Sequence, residues 1–357
     1  MAKPTKRRKS DDMLDPQTEI EQYGELRRFL IACEPVFKGF TDAERKALRF
    51  QARYRWNALI AAWSGTSAIV IAVVLMLLTR PDHSTVLLRV LTFLEFIAVA
   101  AALVVVVSGE LRSDKKQWLI ERNRAERCRL LKFQILTDSK IWTGDKSIES
   151  YGTVDGPLAD IQSRDKDGLW EWIERDPPPQ CVTISSQVSW KSLETLVAYY
   201  RKRRLEFQMK YLAETGRRCE EKYWPRRHDF SLYFYASIFF VFFHLIAEFA
   251  EHLEGHGGSS QQLTPVGVLS LIFLAFAVAL PAIGTGVRTK HLADELARNA
   301  SRYKAKHYAL QQLQARLSRA VEAQDAEAVL RELSSCEQVL ELDQREWLRL
   351  MIEAEWY

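Results

Sequence analysis

Apolar residues along this chain gather into four runs of about twenty, and the segments between them are densely charged. The runs are Trp56–Thr79, Val86–Ser108, Phe230–Phe249 and Pro265–Val287. About twenty residues at ~1.5 Å per residue cross the ~30 Å hydrocarbon layer as a helix. None of the runs alternates with the period of a strand, and inside lipid only helices and closed barrels satisfy their own backbone. Arg80–Thr85, with Pro81 to stop a helix, leaves room only for a tight turn between the first two runs. A short Gly/Ser/Gln/Glu/His loop joins the other two, and no Lys or Arg occurs from Phe230 to Val287. The pattern predicts an all-α integral membrane protein with two transmembrane helical hairpins, four spans in all, and long cytoplasmic helices.

The charged segments also read as helix, with one exception. Met1–Ser10 (MAKPTKRRKS) is a basic arm without the apolar stretch of a signal peptide, and it is expected to be disordered near lipid headgroups. Asp15-Pro16 suits the start of a helix reaching about Cys33, and Thr41 with Glu44 has capping-box spacing for a helix that enters the first span. From Gly109 one uninterrupted helix is expected to about Leu136. Thr137–Ser189 breaks up with Gly, Asp and Pro177–Pro179, although Trp170 and Trp172 suggest that part of it docks. Helix resumes at Trp190. After the fourth span Leu296, Ala300, Tyr303, His307, Leu310, Leu313, Leu317 and Val321 form a seam at three-four spacing. The chain thus divides into a basic arm and first helix (1–40), a first two-span unit with trailing helix (41–136) and a linker (137–189). A second two-span unit with flanking helices (190–322) and C-terminal helices (323–357) complete it.

Charge sets the expected orientation. Of 50 Lys and Arg, thirteen precede residue 57, twenty-four lie between 109 and 229, and eleven follow 287. The positive-inside rule therefore puts both termini and the central segment in the cytoplasm, in a multi-pass protein of the cell inner (plasma) membrane. The net charge of +4 is explained by this topology and by an anionic inner leaflet as lipid partner, and no nucleic acid is expected. Because these charged segments dilute the spans, the mean hydropathy is only −0.20. The five cysteines, Cys33, Cys128, Cys181, Cys219 and Cys336, fall on the cytoplasmic side and are expected to stay reduced.

A few positions inside the spans carry candidate chemistry. Ser64, Ala68 and Ala72 in the first span and Ala98 and Ala102 in the second are small residues at helical spacing, suited to close packing of the first hairpin. Glu95 shares the face of Ala98 and Ala102. If the helix starts at Val86, Glu95 lies near mid-membrane, where an ionisable group is turned to protein or water, as a pore or proton site or as a protonated or hydrogen-bonded packing residue. If the helix starts near Val90, Glu95 is interfacial. His244, Glu248 and His252 recur at four-residue spacing on one helical face. They form a candidate ion path (His244, Glu248) or metal site (all three), or else a solvated acidic loop beside a helix-contact histidine. Pro281, with Gly284 and Gly286, predicts a kink that could serve as a gate or be packing geometry. GxGxxG, Walker-type, GxSxG and CxxC patterns are absent, so nothing points to an enzyme or to a cofactor.

Several longer stretches resemble the SLATT superfamily of bacterial two-transmembrane effector domains, in two tandem copies. In the second half these are Trp190 with YYRKRRLEFQMKY (199–211), ALPAIGTGVRTK (279–290), ELARNASRYKAKHYALQQLQARL (295–317) and EQVLELDQREWLRLM (337–351). In the first half they are RYRWNAL and WLIERNRAERCRL, and Arg-Asn recurs at 122–123 and 298–299. The resemblance implies an oligomeric pore-forming effector of antiviral defence, gated from the cytoplasm and paired with a separate nucleotide-sensing protein. It carries over no catalytic residue. A non-conducting membrane scaffold and a small ion transporter are the readings from other classes.

Overall fold

The computed structural model describes residues 12–13, 15, 17–78, 85–138, 142, 155–163, 166–174, 189–223, 229–253, 265–294 and 296–353. Every regular element among the described residues is helical. The basic arm, the two hairpin loops, Pro177–Pro179, Cys181 and the side chains of Glu248 and His252 lie outside what is described. In chain order the helices are α1 (Gln17–Gln22), α2 (Arg27–Ala32), α3 (Glu34–Leu78), α4 (Thr85–Arg112), α5 (Asp114–Thr137), α6 (Asp155–Ser163) and α7 (Lys166–Glu174). They continue with α8 (Trp190–Tyr200), a π-turn (Arg201–Leu205), α9 (Glu206–Tyr223), α10 (Asp229–Leu253), α11 (Pro265–Asp294), α12 (Leu296–Glu322) and α13 (Ala326–Glu353).

Two compact units emerge, and each draws on separated stretches of chain. One is a helical bundle of 1–51, 115–218 and 300–357; the other, of 52–114 and 219–299, holds the apolar helices. The α3, α9 and α12 helices each run through a boundary between these segments.

Three local expectations give way. Thr41 does not open a helix: α3 begins at Glu34, and the Thr41 hydroxyl donates back to the Phe37 carbonyl inside it. The helix after the second span is not continuous either. Ser113 takes a left-handed φ of 49°, and its N–H bonds the Gly109 carbonyl, which ends α4 before Asp114 opens α5 with an acidic first turn. The first segment up to Cys33 is two short helices and an intervening 3-10 turn rather than one helix.

Within the bundle, the Leu310, Leu313 and Leu317 seam of α12 is buried with Ala300, as its spacing predicts. The α12–α13 turn closes with Gln324 at φ 52°, Asp325 N–H bonding Ala320 O and Gln324 N–H bonding Val321 O, while the Asp325 carboxylate caps Ala328 N–H. On α7 Trp172 is buried, and Arg127 and Arg345 lie over its ring, so this part of the linker region does dock. Trp118 and Trp347 meet edge to face, joining α5 to α13.

In the apolar unit, α3, α4 and α11 are each long and apolar enough to cross a membrane. The apolar part of α10, Ser231–Ala247, is shorter, about 25 Å of helix and at the lower limit for a span. It pairs with α11 through Phe239, Phe240, Phe243, Phe273 and Phe276, whose neighbouring rings lie 4.5–6.0 Å apart.

Candidate functional site

The polar positions of the apolar unit are mostly engaged with backbone. Pro281 stands inside α11 and has no N–H for the Ala277 carbonyl one turn earlier. The buried Ser237 hydroxyl of α10 donates to that same carbonyl at 2.7 Å, so the opening in the ladder is closed by the partner helix. One residue past the proline, Ala282 O accepts the Thr66 hydroxyl of α3 at 3.3 Å. Gly286 lies at the same crossing: a Cβ there would stand 2.7 Å from Thr66 Oγ1. Gly284 is buried as well. The proline and Gly286 thus sit where α11 is held by α10 and by α3.

Thr66 and Ala68 are both buried although they stand about 200° apart on α3 at ~100° per residue, so this helix is covered on two faces. Ser64 and Ala72 flank Ala68 at intermediate exposure. On α4, Glu95, Ala98 and Ala102 are likewise intermediate and share the less exposed face, opposite Phe93, Ile97 and Val104. His244 is tied to α11 through its Nδ1, 2.7 Å from Ser270 Oγ and 3.0 Å from Ser270 O. Glu248 and His252 share its helix, but their side chains are outside the described set, and no metal-ligand cluster occurs among the described residues.

The densest chemistry lies in the bundle, around the π-turn. A π-turn inserts one residue, and here the Glu206 N–H bonds Arg201 O. Arg203, Arg204 and Leu205 are consecutive and all buried, which an ordinary amphipathic face would not give. Arg204 grips Glu337 of α13 in bidentate fashion, Nε to Oε1 at 2.9 Å and Nη2 to Oε2 at 2.7 Å, and reaches Asp12 at 3.1 Å. Its guanidinium also lies 4.5 Å from the Phe133 ring centroid. Tyr200 OH donates to Glu337 at 2.6 Å, and Gln208 donates to Asp12 at 2.9 Å. Lys132 of α5 donates to Asp15 at 2.7 Å and to the carbonyls of Asp12 and Met13, while Tyr199 OH donates to Asp15 at 2.7 Å. Arg129 bridges Asp12 and Glu126, and Glu126 also meets Arg122.

Electrostatics follow from that enclosure. Burial alone would raise the Glu126 carboxyl, but Arg129 and Arg122 outweigh it and hold it down at about 2. Burial, reinforced by the adjacent carboxylates, pushes the Tyr199 and Tyr200 phenols up, so both stay protonated donors. Burial likewise raises Cys33 to about 11 and Cys128 and Cys336 to about 12, so these free thiols are poor nucleophiles. The network can hold helices together. It has no exposed nucleophile with an adjacent base among the described residues.

The sequence assigns none of these bundle residues to a site, although Asp15 reads there as a helix start and Tyr199, Tyr200, Arg203, Arg204, Gln208 and Glu337 fall in stretches that carry the family resemblance. Arg129, Lys132, Arg203 and Arg204 counted there as topological charge, whereas they are spent inward on carboxylates and backbone carbonyls. The available signal was the run YYRKRRL, in which two aromatics and four cations cannot all sit on one solvated face. The chain matches no protein-family model, no curated protein and no solved structure.

Proposed function

We propose that this chain is an oligomeric membrane effector that conducts ions through a path assembled from several copies and is gated by its helical bundle. The observation that carries the reading is α4. No residue in its most apolar stretch is buried, and Glu95 lies on it at intermediate exposure. A carboxylate in lipid is costly, and a membrane carboxylate turns toward protein or a water-filled cavity. Packing α4 helices from neighbouring copies supplies both, with Glu95 toward the path and the opposite face, Phe93, Ile97 and Val104, toward lipid.

In this reading α10 is the fourth span, the termini are cytoplasmic, and the bundle charge network is the element that a signal biases. The SLATT resemblance supports the same class and adds a role in antiviral defence with a separate nucleotide-sensing partner. The test is cation flux from liposomes holding the purified chain. Flux is expected, with Glu95→Gln lowering it while the fold survives. Absence of flux from correctly inserted oligomers would leave a scaffold, and saturable ion-coupled flux would indicate a transporter.

A further inference from the structure

The bundle places two acidic side chains of its own N-terminal segment in a pocket of basic ones. Asp12 is fully buried and Met13 nearly so, yet neither belongs to a helix. The carboxylate of Asp12 meets Arg129 Nε, Arg204 Nη1 and Gln208 Nε2 at 2.9–3.1 Å. That of Asp15 receives Tyr199 OH on one oxygen and Lys132 Nζ on the other. Lys132 is the decisive residue. It is 1% exposed, and every hydrogen bond of its ammonium among the described residues goes to this segment: Asp12 O, Met13 O and Asp15 Oδ2. Arg204 would keep Glu337 and Arg129 would keep Glu126 without the segment, but among the described residues Lys132 would keep only its aromatic neighbours Phe133 and Tyr199.

We propose that the bundle carries a binding site for an acidic peptide of Asp-x-x-Asp pattern, and that the Asp12–Asp15 segment occupies it as a detachable internal ligand. The recognition is by side chains from α5, α8, the π-turn and α9, the way a receptor holds a peptide. The buried Tyr23, Leu26, Phe29 and Leu30 that follow also anchor the chain, with Tyr23 edge to face on Tyr199. Withdrawal leaves a buried ammonium unpaired, so the emptied site either admits an equivalent acidic segment or opens to water. That makes occupancy a switch on the packing of α5 against the π-turn. The site concerns the bundle alone, so its test is independent of whether the chain conducts.

The experiment uses the full chain with Asp12→Lys and Asp15→Lys, which repels the segment from its pocket, and a fluorescent peptide spanning Ser10–Ile20. The peptide is expected to bind this variant, and to bind wild type about tenfold more weakly or worse, because there the site is taken. Asn in place of the peptide's Asp12 and Asp15 should weaken binding about tenfold or more, and adding Lys132→Met to the variant should remove it. No binding to a helical, folded variant overturns the proposal, as does equal binding of a scrambled peptide of the same charge. If the variant loses its helical signal, the wild-type chain decides, with a fluorophore attached enzymatically at its amino terminus. Excess peptide should then free the segment and lower the fluorophore's anisotropy, and an unchanged anisotropy overturns the proposal.

Discussion

Arg204→Met is the perturbation that most directly weighs the bundle's charge network. The methionine keeps much of the aliphatic volume over Phe133 but removes the bidentate clasp on Glu337 and the bond to Asp12. Glu337, 2% exposed, is then left with the Tyr200 hydroxyl as its remaining hydrogen-bond donor among those described, and Asp12 keeps Gln208 and Arg129. Breaking a buried ion pair from one side costs about 3–5 kcal/mol, because the surviving charge stays desolvated. For a unit of this size, Met1–Gln51, Lys115–Arg218 and Ala300–Tyr357, each kcal/mol moves the midpoint by about 2–4 °C, so a fall of about 6–20 °C is expected. Thermal melts in detergent followed by tryptophan fluorescence read this unit, since Trp118, Trp172 and Trp347 are buried in it. Adding Glu337→Gln removes the stranded charge but keeps an oxygen for Tyr200, so the double variant should be less destabilised than the sum of the two singles. A single variant that melts within about 2 °C of wild type, or strictly additive effects, would refute the view that this pair is enclosed and coupled.

Three further outcomes are expected. Glu126 is held at about 2 against an ordinary value of 4.5, so its stabilising contribution is full above pH 4.5 and disappears as pH falls through about 2. That contribution is about 3 kcal/mol, and acid titration of unfolding should show Glu126→Gln flattening the same window. Ser237→Ala should cost about 1 kcal/mol in detergent melts by stranding Ala277 O, and far less in a Pro281→Ala background, where the introduced alanine supplies its own N–H. Gly286→Ala should destabilise the α3–α11 crossing by about 1–3 kcal/mol, and Thr66→Ala should restore most of it by removing the hydroxyl that the new methyl meets.

Elements whose cause is local in the chain are legible in the sequence. Four apolar runs without strand alternation required helices, and the structure has α3, α4, α10 and α11 there. The three-four row of α12 required burial of Leu310, Leu313 and Leu317, and they are buried. Glu95, Ala98 and Ala102 could be read as one face because that follows from helical pitch alone. What each face meets was settled by the fold. Nothing in the pattern of α3 says that Thr66 answers a carbonyl beside Pro281, because that pairing joins residues 216 positions apart. The largest difference concerns charge. A basic residue reads the same in sequence whether it faces lipid headgroups, water or a buried carboxylate, since the energy depends on desolvation and on a partner distant in the chain. Lys132 and Asp15 are 117 residues apart and Arg204 and Asp12 192, so only the folded bundle could turn scattered cations into a single buried site.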